Sequence, residues 1–486
     1  MSRLAFLFLI IFLEGYVVLS SELLAIRLMA PFTGSGADTV SIIIAAVLLP
    51  LAFGYYKGGH PSPRSKSKGK HKTVRQKLAT NLLWAALFLS FGLSYLFLDW
   101  GFDLLQNLTG IRNRLFYTSV YAILFLMIPV YLMGQTVPLI SHYFPRGQLP
   151  QQAGRILFIS TLGSFAGALF STLVLMPFAG VHITTLVTLM AMVALIILLQ
   201  KKVLSRPVFV ALVILAIGVF YNNPAAIKRF HIVSHNQYNT VQVVDHRHSS
   251  IRSLEINRSY ASLVKENSQE TVLPYAAYVE DHFITPAIKE NKFLKILVLG
   301  AGGFVVGRTD QINDYIYVDI DKNLKDIAEN NFLEEKLSAN KKFLAIDARA
   351  YLLQTEEKFD LIIVDLFRDA VSMPDSLVTT EFFAGIRDHL NSSGIMVMNF
   401  VSSPTFYDDY SRNVDATLRD VFPYLNRYPM EGTNPWKHDF DWNNIIYTYI
   451  HHDYREPDLY TDDKSTVIYD KPVDFYPRNR VEPEEK

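Results

Sequence analysis

The sequence predicts a multi-span α-helical membrane bundle followed by an α/β Rossmann-like domain, and three observations predict it. Apolar residues dominate in long blocks from Leu4 to about Tyr221. From about Asn222 onward, charged residues return at ordinary density and apolar runs shrink to strand length. Within that second half, short apolar runs alternate with helical stretches, the pattern of a sheet buried on both faces. The boundaries follow as 1–224 for the bundle, 225–455 for the α/β domain and 456–486 for a polar tail. The domain divides into a small β unit at 225–274 and a doubly wound sheet at 275–455.

The whole-chain averages conceal this division. Half of the 486 residues are hydrophobic and the formal net charge is +0, which argues against a nucleic-acid partner. There is no cysteine, so disulfides, thiolate metal sites and a cysteine nucleophile are excluded.

A helix needs about 20 mostly apolar residues to cross the hydrocarbon core. Seven stretches qualify: 4–28, 37–56, 79–99, 115–142, 156–178, 180–199 and 204–221. The first is too long for a signal peptide and carries Glu14, Glu22 and Arg27, so it is read as a retained helix. The basic run from Lys57 to Lys77, and the short loops with Arg146, Arg155, Lys201, Lys202 and Arg206, lie on one side in this count. The positive-inside rule makes that side cytoplasmic, together with the N-terminus. An integral protein of the inner or plasma membrane, with the lipid bilayer as its partner, is expected. Seven spans place the C-terminal domain outside the cytoplasm; six leave it inside.

Gly163, Gly167 and Ser171 recur every fourth residue, a pattern that lets helix backbones approach. Pro138, after Gly134-Gln135-Thr136, is expected to interrupt the fourth span. Glu14 lies near mid-span and reads either as part of an ion or substrate pathway or as a structural carboxylate between helices. Arg27 is expected to snorkel to the interface.

In the soluble half, alternation around Val241, Val243, Ile251, Leu254 and Ile256 predicts a small antiparallel unit, followed by an amphipathic helix near Tyr275–Glu290. Strands are expected at Lys295–Gly300, Tyr315–Ile320, Phe343–Ile346, Asp360–Leu366 and Ile395–Val401, with helices such as Lys322–Asn331 and Glu381–Leu390 between them. Ligands of such sheets bind at the carboxyl ends of the strands. The first strand there runs into Gly300-Ala301-Gly302-Gly303, the second ends in Asp319, and Asp347 and Asp365 follow the third and fourth. An acid at the end of the second strand suits the hydroxyls of a ribose. Val305 occupies the third glycine position of a dinucleotide fingerprint, so a nucleoside without a diphosphate fits better, an adenosyl sulfonium above all. His246-Arg247-His248 and His451-His452 lack the spaced partners of a metal site, and no metal is expected.

The chain resembles the spermidine synthase (polyamine aminopropyltransferase) family, in particular its membrane-fused branch, the fused MFS/spermidine synthases. The soluble resemblance covers 235–450. It rests on Gln237-Tyr238-Asn239, Tyr278-Val279-Glu280, Leu297–Gly303, Val318–Asp321, Asp347 and Phe359–Asp365; that of the membrane half rests on Glu22–Leu28 and Gly134–Pro138. It implies transfer of an aminopropyl group from decarboxylated S-adenosylmethionine, a co-substrate rather than a tightly bound cofactor, to a diamine such as putrescine. Asp365 would be the catalytic base. Gly300, Gly302, Gly303, Asp319 and Asp347 would hold the donor, with Asp319 on the ribose and Asp347 on the adenine amino group. Tyr238, Tyr278, Glu280 and Asp369 would face the substrates, and a homodimer is allowed. Two positions depart from the family. Gly303 stands where an Asp pairs with the donor's ammonium, and Arg368 stands where a second Asp holds the diamine. Methyl or other alkyl transfer from S-adenosylmethionine, and a non-catalytic transport or sensing protein with a nucleoside- or polyamine-binding domain, are the alternatives on the same fold.

Overall fold

A computed structural model describes residues 3–34, 36–59, 73–111, 113–141, 143, 149–200, 202, 205–246, 249–265, 270–367, 373–430 and 443–451. Arg368, Asp369, His452 and the 456–486 tail lie outside the described residues.

Among the described residues, the apolar half forms ten α-helical segments, besides the π-helical Ala122–Met127 and Phe170–Leu175. They are α1 (Arg3–Thr33), α2 (Ala37–Gly59), α3 (Val74–Gly92), α4 (Tyr95–Thr109), α5 (Arg114–Tyr121), α6 (Ile128–Gly134), α7 (Thr136–Ser141), α8 (Leu149–Leu169), α9 (Met176–Leu198) and α10 (Arg206–Asn222). Among the described residues, five helical runs are long and apolar enough to cross a membrane, or six if the bent pair α3–α4 is one span. One of the five, Gln152–Leu198, is 47 residues long. At 1.5 Å per residue it would extend about 70 Å, more than twice the hydrocarbon core. Gly180, at φ 85° and ψ 165°, breaks it into two helices.

The third stretch differs from expectation. Instead of running through 79–99, the helix stops at Gly92, and α4 leaves at 76°. Leu93 closes α3 outside helical geometry, and the Ser94 side chain caps α4 through the Phe97 amide. The fourth stretch is interrupted as expected, with a turn at Gln135 between α6 and α7 and a π-helical segment at Ala122–Met127. The small residues of α8 do what their spacing predicts. A Cβ on Gly163 would lie 2.1 Å from the Phe12 carbonyl oxygen, and one on Gly167 would lie 2.4 Å from that of Tyr16. One step further along, the Ser171 hydroxyl meets that of Ser20 at 2.7 Å.

These contacts also fix helix direction. Residues 12, 16 and 20 of α1 meet 163, 167 and 171, so α1 and α8 are parallel. Asp38 pairs with Arg114 at 2.7 Å, while Gly54 and Gly58 abut Gly134 and Gln135, so α2 runs parallel with the α5–α7 stretch. The Tyr121 hydroxyl donates to the Gly92 carbonyl, which puts the end of α3 beside the first third of that stretch. Successive helical runs therefore alternate in direction. One end of the bundle gathers Thr33, Gly92, α4, Gly180 and Asn222. The other gathers Lys57, Arg75, Lys77, Arg155, Lys202 and Arg206.

The α/β domain sits on the first of these ends. After α11 (Pro224–Arg229), strands β1 (Ile232–His235), β2 (Thr240–His246), β3 (Ile251–Ile256) and β4 (Ser259–Lys265) form an antiparallel sheet in chain order. Arg258, in the turn between β3 and β4, pairs with Asp99 and, at 3.1 Å, with Asp103 of α4, and lies over the Phe32 ring. Helices α12 (Pro274–Val279) and α13 (Thr285–Lys289) lead to a sheet of β5 (Lys295–Leu299), β6 (Asp314–Asp319), β7 (Lys341–Ala345), β8 (Phe359–Val364), β9 (Leu390–Ser402), β10 (Asn426–Pro429) and β11 (Asn443–Ile450). Its order is β10-β11-β9-β8-β5-β6-β7, with β9 through β7 parallel and the β11 and β10 pairings antiparallel. Helices α14 (Leu324–Ile327), α15 (Ala348–Gln354), α16 (Thr380–Asp388) and α17 (Asp409–Val421) make the connections. The central strands Ile296–Leu299 and Leu361–Val364 are buried on both faces, which is why they read as unbroken apolar runs. The chain moves outward from β5 to β7 and returns at β8, so the topological switch point lies between β5 and β8.

Candidate functional site

At that switch point the carboxyl ends of the strands enclose a cavity of about 380 Å³. Gly300 ends β5 with φ 92°, and a Cβ there would lie 2.1 Å from the Asp365 carbonyl oxygen at the end of β8. Only glycine satisfies both the left-handed backbone and this close approach. The Asp365 amide donates to Leu299 O at 2.8 Å, which joins the two strand ends.

Asp319, Asp347 and Asp365 all line the cavity, as do Gly300, Gly302 and Tyr238. Asp365 is half-buried beneath two donors: Asn399 Nδ2 reaches its Oδ1 at 2.9 Å, and the Tyr275 hydroxyl also bonds it. Burial pushes its carboxyl up to about 6, and the two hydrogen bonds pull the other way. Asp319 accepts from Ala301 N at 3.1 Å and from Asp321 N at 3.0 Å; burial pushes it, too, up to about 6 against those bonds. Asp347 caps α15 through Ala350 N at 2.9 Å and still borders the cavity. Among the described lining residues there is no lysine, arginine or histidine. Among the described residues the three acids thus face the space without a cationic counterpart, which suits a ligand that brings its own positive charge.

Three expected site residues lie elsewhere. Gly303 does not line the cavity; a Cβ there would lie 2.5 Å from Phe332 Cε1 and 2.8 Å from Ser262 Cβ. Glu280 turns inward and accepts from Gly307 N at 2.5 Å, holding the turns after β5 rather than a substrate. Burial pushes its carboxyl up to about 7. Tyr278 stacks on His282 at 4.1 Å and is no part of the cavity wall. Spacing cannot reveal such displacements, because a helix residue one position away faces another direction. Conversely, Tyr275 and Asn399 were missed. Both lie in elements read for their periodicity, and only the fold brings them onto Asp365.

Residues 277–431 match the family described as Spermine/spermidine synthase domain. Among curated proteins, a probable polyamine aminopropyl transferase of Bifidobacterium longum is 30% identical over 191 residues, covering 38% of this chain and 40% of that protein. A polyamine aminopropyltransferase of Vibrio vulnificus is 32% identical over 152 residues, covering 29% of this chain and 48% of that protein. The chain thus spans less than half the length of these relatives. Among solved structures, a probable spermidine synthase from Corynebacterium glutamicum aligns with a TM-score of 0.37 at 18% identity, covering 47% of this chain and 81% of that one. The C-terminal part is an α/β domain of Rossmann-like topology. Within it, residues 277–431 are similar to the spermine/spermidine synthase domain, and the domain is joined to an N-terminal region of long apolar helices.

Proposed function

We propose that the protein is a membrane-embedded aminopropyltransferase that moves an aminopropyl group from decarboxylated S-adenosylmethionine to a diamine such as putrescine. The observation that carries this reading is the cavity wall itself: three carboxylates at successive strand ends and no cation among the described lining residues. Both substrates are cations. An intact adenosylmethionine would add a carboxylate facing those acids, a like-charge contact that raises its cost.

Asp365 acts on the acceptor amine. Its carboxylate accepts a hydrogen bond from the amine, aligns the nitrogen lone pair with the carbon beside the sulfonium and takes up the proton. The N–C bond forms as the C–S bond breaks. The bonding pair stays on sulfur, which leaves a neutral methylthioadenosine. Asn399 and Tyr275 hold the base in one rotamer. Asp319 accepts from the ribose hydroxyls and Asp347 from the adenine amino group.

The domain is read as lying on the non-cytoplasmic face, with the helices in the bilayer. What supports this orientation is the bias of charge along the bundle, because Lys57, Arg75, Lys77, Arg155, Lys202 and Arg206 lie at the end opposite the α/β domain, whereas Arg27 and Arg114 at the domain end are held by Asn236 and Asp38. The chain has no cysteine, so single cysteines report on side directly. Glu290→Cys is expected to react with a membrane-impermeant maleimide in intact cells and Lys202→Cys only after lysis; the reverse pattern refutes the orientation. For the activity, the purified full chain is incubated with putrescine and either decarboxylated or intact adenosylmethionine. Spermidine and methylthioadenosine are expected from the decarboxylated donor alone. Methylated product from the intact donor would replace this reading with methyl transfer. Binding without turnover of either donor would replace it with sensing or transport.

A further inference from the structure

Arg27 does not snorkel to the lipid interface. It is buried at the domain end of α1, its Nε donating to Asn236 O at 2.6 Å and its Nη2 to Thr240 Oγ1 at 3.1 Å. Asn236 belongs to the short loop that joins β1 to β2 and Thr240 opens β2, both more than 200 residues away in sequence. The loop is also tied at its other side. Asn236 Nδ2 reaches both Asp321 carboxylate oxygens at 2.9 Å, and Asn239 Nδ2 reaches Oδ2 at 3.3 Å. Asp321 is fully buried. Its backbone amide is one of the donors that fix the Asp319 carboxylate. Between Asn236 and Asn239 the same loop places Tyr238, and Asn239 itself, in the cavity wall.

We propose that Arg27, a residue of the membrane bundle, is a positioning residue for the nucleoside half of the donor site, acting through Asn236 and Asp321 on Asp319 and through the loop on Tyr238. The inference rests on the aminopropyltransferase reading of this cavity. A planar guanidinium that grips two acceptors sets the position of the loop more tightly than a point charge can. Asn236 Nδ2 bonds both oxygens of the buried Asp321 side chain, beside Asn239 Nδ2 and the Asn323 amide, and its loss leaves that buried group under-satisfied. The bundle is thereby more than an anchor: one wall of the pocket is held from α1.

The test uses the full chain in detergent or nanodiscs, with methylthioadenosine, the nucleoside left by the transfer, as calorimetric probe. Arg27→Gln and Asn236→Ala are each expected to weaken its binding about tenfold, the scale of one charge-assisted hydrogen bond. The KM for the donor should rise in parallel while kcat changes by less than about threefold. Arg27→Lys, which keeps the charge and can reach one of the two acceptors, should recover part of the loss. Unchanged methylthioadenosine affinity in Arg27→Gln and Asn236→Ala, with wild type binding well, overturns the inference and leaves the aminopropyltransferase reading intact. A loss of kcat, thermal stability and affinity together, with no rescue by lysine, reduces Arg27 to a structural contact and also overturns it. If wild type binds neither methylthioadenosine nor donor, the aminopropyltransferase reading fails and this inference falls with it.

Discussion

Replacing Asp365 by asparagine separates the chemistry of the site from its architecture. The side chain keeps its size, and its carbonyl oxygen can still accept from Asn399 or Tyr275, so the cavity should persist. What disappears is the negative charge and the proton acceptor. General-base contributions are about 10²- to 10⁴-fold, and a fall of that size in kcat is expected at pH 8. Methylthioadenosine affinity should stay within about threefold, since Asp319 and Asp347 are untouched. Stability should move the other way. Burial raises the Asp365 carboxyl to about 6 from an ordinary value of 3.8, so the folded state holds this proton where the unfolded state has released it. Folding is then favoured below the ordinary value and loses stability as pH rises through about 6, by up to about 3 kcal/mol. Asparagine removes that cost, and Tm at pH 8 should be unchanged or higher. The assay is steady-state aminopropyl transfer monitored by methylthioadenosine release, with thermal unfolding of the same samples. A kcat within about fivefold of wild type, in protein of normal Tm, would refute the assignment of Asp365 as base.

The pH profile offers a second check: kcat/KM should rise through an acid limb near 6, where Asp365 and Asp319 both become ionised, and a flat profile from pH 5 to 8 would contradict that. Gly303→Asp, which restores the family acid, is expected to destabilise the fold by about 3 kcal/mol rather than improve donor binding, since its Cβ would meet Phe332 at 2.5 Å; calorimetry and Tm together read the outcome. Tyr278→Phe should leave both KM values within about twofold, because the ring packs on His282 outside the cavity. Gly163→Leu, whose Cβ would lie 2.1 Å from Phe12 O, should force α1 and α8 apart and lower Tm in detergent, while Gly154→Leu, with nothing within 4 Å of its Cβ, should not.

The division of the chain, the parallel strands and the three cavity acids were legible in the sequence because each depends on local pattern. Two-sided burial forces an unbroken apolar run such as Leu361–Val364, and a strand that ends in Asp delivers its carboxylate to the sheet edge whatever else the fold does. The close packing of α1 on α8 was also legible, since small residues four apart mark one helical face. Only the tertiary structure decided what lies between elements distant in sequence. It showed that the long third apolar stretch turns by 76° after Gly92, that Glu280 points to Gly307 rather than to a substrate, and that Phe332 fills the space beside Gly303. It brought Tyr275 and Asn399 to Asp365, and Arg27 to Asn236 across 209 positions. Periodicity fixes which face of a helix or strand a residue occupies. Which other face meets it is set by how the layers and the two halves of the chain pack, and no local pattern encodes that.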